Sequence, residues 1–241
     1  MKKTKLFCVP HAGGSAFSYS KWKNYFNPYI EVVPIELAGR GYRIEENLYQ
    51  SMEEAVNDVH NSIVKQLDNS PYILYGHSMG SLIAYEVAKK IQDSNNVLPE
   101  FLVLSGRNHP NSKIKNIRHN LSNEQLKKEI IAMGGTPSEV LQSEELMEIF
   151  LPILRADFKI VETYIHDNNR QACDIDFLIF NGKNDEFTTY DEVIKWEEYT
   201  NNLCTFHSFE GRHFFLYENI QEIANIIKKA HELIIPKRRS I

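Results

Sequence analysis

Ser78 is the residue whose neighbours most clearly predict covalent chemistry. It stands at the centre of Gly-His-Ser-Met-Gly at 76–80, after an apolar run at 72–75 and before a helical pattern at 81–92. A serine in a sharp turn between a strand and a helix, flanked by two glycines, forms a nucleophile elbow. The glycines relieve the collisions of so tight a turn, and the helix N-terminus favours developing negative charge. The pattern predicts Ser78 as a nucleophile, whereas the five residues alone would also fit an ordinary turn.

A serine nucleophile needs a base, and His213 is the predicted base. In chains with such an elbow the order is serine, then acid, then histidine, so the base should follow Ser78. His213 lies in a loop between the last strand-like run and the last helical stretch. A loop at the carboxyl end of a strand brings a histidine close enough to take the serine proton. By contrast, His207 lies within a strand-like run and His231 lies deep in the last helical stretch.

The acid that orients the base is predicted to be Asp185. The apolar run at 177–180 leads into a polar turn, and Asp185 stands at the far end of that turn. Glu186 is the alternative, while Asp174 and Asp176 precede the run and would lie at the wrong end of the strand. A turn rich in Asn, Gly and Asp is common in itself. Its place between the nucleophile and the base selects Asp185, which would hold the imidazole in one tautomer and stabilise the imidazolium.

Two backbone N–H groups are predicted to stabilise a tetrahedral oxyanion. One belongs to Met79, the residue after the nucleophile. The other is expected in the glycine-rich loop at 10–14, directly after the first apolar run, with Ala12 as the first candidate and His11 as the second. His11 precedes Ser78 in the chain, which breaks the expected order for a base, so its side chain is interpreted as local scaffolding. A plain glycine loop is the alternative interpretation of this segment.

Short apolar runs separated by helical patterns predict the elements that position these residues. Runs this short and continuous are typical of strands covered on both faces. Their alternation with helices predicts an α/β fold with a mostly parallel, doubly wound sheet. The predicted strands lie at 6–9, 31–35, 72–75, 101–105, 177–180 and 204–209. The predicted helices lie at about 18–27, 52–68, 80–93, 190–200 and 219–234.

A long stretch without a convincing strand interrupts this alternation between the fourth and fifth predicted strands. A helical insertion after the carboxyl end of a strand would cover the active edge of the sheet, so about 108–170 is interpreted as a lid. An ordinary stack of crossover helices is the alternative. In either case the sequence predicts one domain over 1–241. The helical patterns of the insertion lie near 123–133, 137–142 and 143–165.

Composition and charge narrow the classes of function. The chain has 241 residues, of which 42% are apolar and 24% charged, as is ordinary for a globular protein. A net charge of −5 gives no general attraction to nucleic acid or to an anionic membrane surface. Three cysteines without paired spacing predict reduced thiols in a cytoplasmic protein. No stretch approaches the length of a membrane span.

Taken together, these motifs resemble the type II thioesterases of the α/β-hydrolase superfamily, the stand-alone editing enzymes of nonribosomal peptide and polyketide synthesis. The resemblance covers nearly the whole chain. The elbow is shared with many hydrolases, whereas the Gly-Arg-Gly turn and the Leu-Arg-Ala-Asp stretch are much more specific. Six segments carry the resemblance in this order: Pro-His-Ala-Gly-Gly at 10–14, Glu-Leu-Ala-Gly-Arg-Gly at 36–41, the elbow at 76–80, Leu-Pro-Ile-Leu-Arg-Ala-Asp at 151–157, Asn-Gly-Lys-Asn-Asp at 181–185, and Gly-Arg-His-Phe-Phe-Leu at 211–216.

The resemblance implies that acyl groups are hydrolysed from the phosphopantetheine arm of carrier proteins, which clears stalled or mis-primed intermediates. Carried over residue by residue, the family's catalytic triad falls on Ser78, Asp185 and His213, in agreement with the argument from chain order. The implied mechanism passes through an acyl-enzyme on the serine and needs no metal or bound cofactor.

Two positions depart from the family pattern. Ala38 stands where proline is usual before Gly-Arg-Gly, which could loosen that turn without touching a catalytic role. Arg212 stands where a second glycine is common before the histidine, and it could alter access to His213.

Acyl or peptidyl carrier proteins are the partners that the resemblance implies. A monomer is expected, with neither nucleic acid nor membrane as a partner. Carrier proteins are generally acidic around their arm, so a local basic patch would help docking. Lys113, Lys115 and Arg118 are candidates for such a patch, although a solvated face is the favoured interpretation of this cluster.

Two other functions fit the same residues. A carboxylesterase or another small-acyl hydrolase would use the same triad, and only the more specific motifs favour a thioesterase. A non-catalytic hydrolase-fold protein that binds acyl carriers or small ligands usually has a broken triad, whereas this triad is complete in sequence. The sequence leaves the acyl group and the partner synthase open.

Overall fold

Six parallel strands form the central sheet. The structure, a computed structural model, describes residues 2–26, 28–94 and 96–238. Across the sheet the strands follow the order β2-β1-β3-β4-β5-β6, and every neighbouring pair is parallel. Their bounds are β1 (Thr4–Val9), β2 (Ile30–Pro34), β3 (Tyr72–His77), β4 (Phe101–Ser105), β5 (Asp176–Gly182) and β6 (Cys204–Phe209).

Helices connect the strands. Their bounds are α1 (Lys23–Phe26), α2 (Met52–Gln66), α3 (Met79–Asp93), α4 (Asn123–Met133), α5 (Ser138–Gln142), α6 (Glu144–Glu162), α7 (Tyr190–Val193) and α8 (Ile220–Arg238). Helix α2 begins after Ser51, whose hydroxyl accepts a hydrogen bond from the N–H of Glu54 at 3.2 Å. This cap and the two acidic residues of the first turn stabilise the positive end of the helix.

Apolar side chains cover both faces of the sheet. In β1, Phe7 and Val9 pack in the core shared with α2 and α3, whereas Leu6 and Cys8 pack in the core shared with α1 and α8. Successive side chains of a strand point to opposite faces, which explains why buried strands read as continuous apolar runs. The prediction of an α/β fold with a mostly parallel, doubly wound sheet is confirmed.

The segment between β4 and β5 contains α4, α5 and α6, close to the three predicted helical patterns. A reciprocal pair of hydrogen bonds between Ser122 and Gln125 caps the start of α4. These helices bury a small core of their own, made of Leu126, Ile130, Met147, Leu151, Leu154 and Phe158. The face of α6 that points away from solvent therefore packs in this core and lines the first cavity described below.

Two predicted helices are largely 3₁₀ turns. The helix predicted at 18–27 is a 3₁₀ segment, Ala16–Trp22, followed by α1. The helix predicted at 190–200 is α7 followed by a second 3₁₀ segment, Ile194–Tyr199. Both segments are rich in serine, aromatic or β-branched residues, which are weaker helix formers, and they are held by packing of Trp22 and Trp196.

In the parts of the chain that the structure describes, no helix combines the length and the apolar character that crossing a membrane requires.

Candidate active site

The turn that carries Ser78 is strained and depends on both of its glycines. Ser78 has φ 55° and ψ −113°, a conformation that non-glycine residues rarely adopt. A Cβ atom on Gly76 would lie 2.1 Å from the carbonyl oxygen of Gly80, and one on Gly80 would lie 2.2 Å from that of Val9. The elbow therefore packs its own backbone so closely that only glycine fits at these two positions.

Hydrogen bonds to β4 hold this strained turn in place. The N–H of Ser78 donates to the carbonyl oxygen of Ser105 at 2.8 Å. The hydroxyl of Ser81 lies 2.8 Å from the carbonyl oxygen of Gly76 and 2.7 Å from that of Ser105, and it accepts from the N–H of Ser105 at 2.9 Å. Because Ser81 is fully buried, these bonds fix the nucleophile turn against the neighbouring strand.

Ser78, His213 and Asp185 form one hydrogen-bonded chain. The Nε2 atom of His213 lies 3.0 Å from the Oγ of Ser78, and its Nδ1 atom lies 2.8 Å from an oxygen of Asp185. The second carboxylate oxygen of Asp185 accepts from the N–H of Phe187 at 2.9 Å. With its proton on Nδ1, the imidazole donates to Asp185 and can accept the proton of Ser78. The structure thus brings together the three residues that sequence reasoning selected.

Burial separates the pair of His213 and Asp185 from bulk water. The side chains of His213 and Asp185 are 4% and 0% exposed. The ring of Phe187 packs edge-on against His213, with 4.8 Å between centroids, and Phe214 packs against it from another side at 5.2 Å. In such surroundings the hydrogen bond between imidazole and carboxylate is stronger than it would be in water.

The alternative acids lie elsewhere. The carboxylate of Glu186 accepts from the Nε of Arg212 at 2.6 Å, and both side chains are substantially exposed. Asp174 and Asp176 lie at or before the N-terminal end of β5, away from the elbow. Arg212, whose effect on access to His213 the sequence left open, is turned towards Glu186 and the carbonyl oxygen of Ala132 at the end of α4.

Of the two residues predicted to supply oxyanion donors, Met79 follows Ser78 in the chain and Ala12 lines the same cavities as Ser78. Met79 is the first residue of α3, so its N–H has no acceptor within the helix. Ala12 follows β1 and lines, with Ser78 and His213, the two cavities described below. Within the described residues, neither of these N–H groups donates a hydrogen bond to the protein. Both are therefore free to bind a negatively charged oxygen.

His11 supports the loop that contains Ala12. Its Nδ1 lies 2.9 Å from the carbonyl oxygen of Ala12, and its Nε2 lies 2.7 Å from the hydroxyl of Tyr217. Burial lowers the pKa of His11 from 6.5 to about 4, so the ring is neutral at physiological pH. A neutral ring with its proton on Nδ1 donates to Ala12 and accepts from Tyr217. This geometry fits the interpretation of His11 as scaffolding.

Acidification from pH 6.5 to pH 4 is expected to destabilise the protein through His11. In this window the unfolded chain takes up a proton that the folded chain does not bind, because the folded pKa is depressed. The contribution of His11 to stability is therefore complete above pH 6.5 and is lost as the pH falls towards 4. The shift corresponds to about 3 kcal/mol in the free energy of unfolding.

Urea unfolding at pH 7.5 and pH 4.5 measures this effect. His11→Gln keeps a donor and an acceptor without titrating, so the variant should lose less stability on acidification than the native protein. The variant is expected to be less stable than the native protein at pH 7.5 and closer to it at pH 4.5. An equal loss in both proteins would contradict the assignment.

Two cavities meet at Ser78. Ala12, Ser78 and His213 line both of them. The first has a volume of about 610 Å³, and its surface is mainly apolar. It extends from the loop after β1 to the helices between β4 and β5, and its apolar lining includes Ile130, Met133, Val140, Phe150, Leu154, Phe158 and Phe214.

The second cavity, of about 700 Å³, exposes more polar surface than the first and has one partly basic wall, so we call it the polar cavity. Apolar groups and the acidic side chains of Glu162, Glu186, Asp191 and Glu192 also line it. The loop between β4 and α4 provides much of the partly basic wall, with Arg107, Asn108, Asn111, Ser112, Lys113, Lys115, Asn116 and Arg118. Among the described residues, Arg107, Lys113 and Lys115 take part in no ion pair with an acidic side chain. Burial lowers the pKa of Arg107 to about 10. The Nε atom of Arg107 has no hydrogen-bond partner within the described part of the chain. The basic cluster noted in the sequence therefore borders the site.

Comparison with known proteins decides the family. The family model described as a thioesterase domain matches residues 4–231. This chain belongs to the thioesterase family. A relative of this thioesterase, the gramicidin S biosynthesis protein GrsT of Aneurinibacillus migulanus, is 38% identical over 97% of this chain and 91% of its own length.

Solved structures of related thioesterases superpose closely. ClbQ from the colibactin NRPS/PKS pathway has a TM-score of 0.92 and 31% identity, over 97% of this chain and 98% of its own. The type II thioesterase BorB from the borrelidin biosynthetic cluster has a TM-score of 0.86 and 30% identity, over 95% of this chain and 93% of its own. The prediction of a type II thioesterase with the α/β-hydrolase fold, a hydrolase acting on thioesters, is confirmed.

Sequence reasoning missed the positions of Arg40 and Asp157. Both belong to the specific motifs of this thioesterase, but their side chains were given no role. The structure brings them together in a buried ion pair. A signal was present in the sequence, since an arginine and an aspartate occurred in two family motifs without an assigned partner. Their separation along the chain hid the connection.

Proposed function

We propose that this thioesterase hydrolyses acyl groups from the phosphopantetheine arm of carrier proteins and so removes stalled intermediates from nonribosomal peptide or polyketide assembly. Ser78 acts as the nucleophile, His213 as the base and Asp185 as the orienting acid. The observation that carries the proposal is the hydrogen-bonded chain from Asp185 to Ser78 at the meeting point of an apolar and a polar cavity. Its membership of the thioesterase family supports the same conclusion.

Acylation begins when His213 takes the proton of Ser78. The Oγ atom attacks the thioester carbonyl carbon, and the carbonyl oxygen becomes an oxyanion bound by the N–H groups of Met79 and Ala12. Asp185 stabilises the imidazolium that results. The carbon–sulfur bond then breaks, the sulfur takes the proton from His213, and the pantetheine thiol leaves an acyl-enzyme on Ser78.

Deacylation repeats the same proton transfers with water. His213 takes a proton from the water, whose oxygen attacks the ester carbonyl carbon, and the same two N–H groups bind the second oxyanion. The bond between the acyl carbon and the Oγ of Ser78 breaks, and His213 returns a proton to that oxygen. The acyl group leaves as a carboxylic acid, and the enzyme regains its starting protonation state.

The two cavities suit the two halves of such a substrate. An apolar cavity of about 610 Å³ gains free energy by removing an acyl chain from water. The polar cavity offers the side-chain donors of Arg107, Asn108 and Asn111 to the amide groups of a pantetheine arm. Lys113 and Lys115 supply positive charge on the same wall, which favours an acidic carrier surface.

The segment at about 108–170 acts as a lid. Helices α4, α5 and α6 supply most of the apolar wall of the acyl cavity, so this segment excludes water from the reacting carbonyl. The alternative of plain crossover helices gives no reason for their apolar residues to line a cavity at Ser78. One copy of the chain supplies every group of the proposed site, so a monomer is sufficient for activity.

The substrate class is tested by comparing kcat/KM for a short acyl group on a carrier protein with kcat/KM for the same acyl group in a simple oxygen ester. We expect a preference for the carrier thioester of at least about 10²-fold, equal to about 2.7 kcal/mol of transition-state stabilisation. An acyl-N-acetylcysteamine thioester is the matched control, because it keeps the reacting bond without the carrier. Preference for the oxygen ester would favour a carboxylesterase instead.

A further inference from the structure

We propose that Arg40 and Asp157 are positioning residues that aim the Ala12 N–H at the oxyanion. The inference rests on the proposed function, since it assigns a purpose to that donor. In this proposal neither side chain acts directly on Ser78. Both act through the backbone of the loop that follows β1.

Arg40 and Asp157 form a two-pronged ion pair inside the protein. The Nη1 and Nη2 atoms of Arg40 lie 2.6 and 2.7 Å from the two carboxylate oxygens of Asp157. Their side chains are 4% and 2% exposed. Arg40 belongs to the turn after β2, with Gly39 and Gly41 at positive φ on either side, and Asp157 belongs to α6. The pair therefore joins two elements that lie 117 residues apart in the chain.

Each partner also binds the backbone of the loop after β1. Asp157 accepts from the N–H of Gly13 at 2.8 Å, and Arg40 donates to the carbonyl oxygen of Gly14 at 3.2 Å. These contacts satisfy the N–H group that follows Ala12 and a carbonyl oxygen two residues further along the loop. A bidentate guanidinium–carboxylate pair is rigid in direction, so it fixes the backbone groups that it binds.

Further hydrogen bonds occupy the other polar groups around Ala12. The carbonyl oxygen of Ala12 accepts from His11, so the peptide group between Ala12 and Gly13 is held at both its oxygen and its N–H. The carbonyl oxygen of His11 accepts from the N–H of Gly14 at 2.9 Å. This bond fixes the peptide group that contains the Ala12 N–H. That N–H donates to no other group in the described part of the chain, so it is left to bind a substrate oxygen.

Close packing between the loop and α6 reinforces this arrangement. Gly13 has φ +72°, and a Cβ atom there would lie 2.3 Å from a methyl carbon of Leu154. Leu154 stands one helical turn before Asp157 on α6. Helix α6 thus packs against the loop through Leu154 and binds the loop backbone through Asp157 one turn later. The position of α6 and the position of the oxyanion donor are therefore linked.

A buried ion pair contributes little to stability. A positioning role can therefore be distinguished from a purely structural role by measuring catalysis in a variant that still folds. Desolvation of two charges largely cancels their attraction, and replacement of both partners by apolar residues of similar volume is often neutral for stability. The double variant Arg40→Met with Asp157→Leu should therefore fold. What it loses is the hydrogen bonding to Gly13 and Gly14.

We expect the double variant to lower kcat on an acyl-N-acetylcysteamine thioester by about 30- to 100-fold. Misplacing one oxyanion donor lowers kcat by about 10²-fold. KM should stay within about twofold, since the oxyanion forms only in the transition state. A trifluoromethyl ketone that carries the same acyl chain forms a hemiketal oxyanion on Ser78. Its inhibition constant should rise by the same factor as kcat/KM falls.

The matched control is the ion pair of Arg170 with Glu86, which joins a loop to α3 without touching the oxyanion loop. Arg170→Met with Glu86→Leu should leave kcat within about twofold. A folded Arg40→Met, Asp157→Leu protein with native kcat and native affinity for the ketone would overturn the proposal. If that variant fails to fold, Asp157→Asn decides the question by the same two readouts. A loss of kcat at constant KM supports the positioning role, and native kcat overturns it. Inactivity caused by a failed triad would abolish phosphonate labelling of Ser78, whereas these variants should still be labelled.

Discussion

Ser78→Ala is expected to lower kcat for thioester hydrolysis by about 10⁴- to 10⁶-fold, because the acyl-enzyme route is lost with its nucleophile. The variant should still fold, since alanine retains the backbone bond from residue 78 to Ser105. KM should change little, because both cavities remain. Turnover of an acyl-N-acetylcysteamine thioester measures the loss, and a fluorophosphonate probe measures the presence of the nucleophile directly.

Ser112→Ala is the matched control for this experiment. Ser112 lines the polar cavity. Within the described ranges its hydroxyl has no hydrogen bond to a histidine ring. The control should keep native turnover within about twofold and should keep probe labelling. Labelling that persists in Ser78→Ala would mean that another residue is the nucleophile. A native protein that takes up no probe, beside a control hydrolase that does, would favour the non-catalytic binder.

The sequence could predict the hydrogen-bonded chain of Ser78, His213 and Asp185 because a parallel sheet places the carboxyl ends of all its strands at one edge. Ser78 follows β3, Asp185 follows β5 and His213 follows β6, so three segments distant in sequence converge at that edge. Chain order, together with a place in the loop after the last predicted strand, then separated His213 from the other histidines. The choice between Asp185 and Glu186 was harder, because adjacent residues on a turn point in different directions that only the folded turn defines.

The sequence could not predict which helices, strands and loops contact one another. Arg40 and Asp157 belong to separate motifs, and nothing in their spacing predicts that the turn after β2 and α6 meet at the loop after β1. The two cavities likewise depend on how α4, α5 and α6 pack, which follows from side-chain shape and not from periodicity. The 3₁₀ segments were missed for the same reason, because packing of Trp22 and Trp196 overrides helical periodicity.

Three histidines lie close to Ser78, and their hydrogen-bond partners differ. The rings of His11 and His77 lie 6.2 Å apart, and that of His213 lies 5.2 Å from His77. Burial lowers the pKa of both His11 and His77, which keeps these two rings neutral. His77 bonds to the hydroxyl of Ser105 at 2.9 Å and so belongs to the support of the elbow. Only His213 combines a carboxylate on one nitrogen with a serine on the other.

Asp185→Asn is expected to lower kcat by about 10⁴-fold while the protein remains folded. One oxygen of Asp185 accepts from the N–H of Phe187, so an asparagine would keep its carbonyl oxygen there and turn its NH₂ group towards His213. An NH₂ donor facing Nδ1 forces the imidazole proton onto Nε2. The Nε2 atom could then no longer accept the proton of Ser78. Steady-state kinetics on an acyl-N-acetylcysteamine thioester measure the loss, which should fall on kcat and leave KM nearly unchanged.

Glu186→Gln is the matched control, because the two acids are adjacent on the same turn but face different partners. The carboxylate of Glu186 pairs with the exposed Arg212, so its neutralisation should change kcat by no more than about twofold. If Glu186→Gln were the inactive variant and Asp185→Asn the active one, the assignment of the acid would be reversed. The difference between these two substitutions therefore tests whether catalysis depends on the carboxylate that fixes the tautomer of His213, since both remove one negative charge from the same loop.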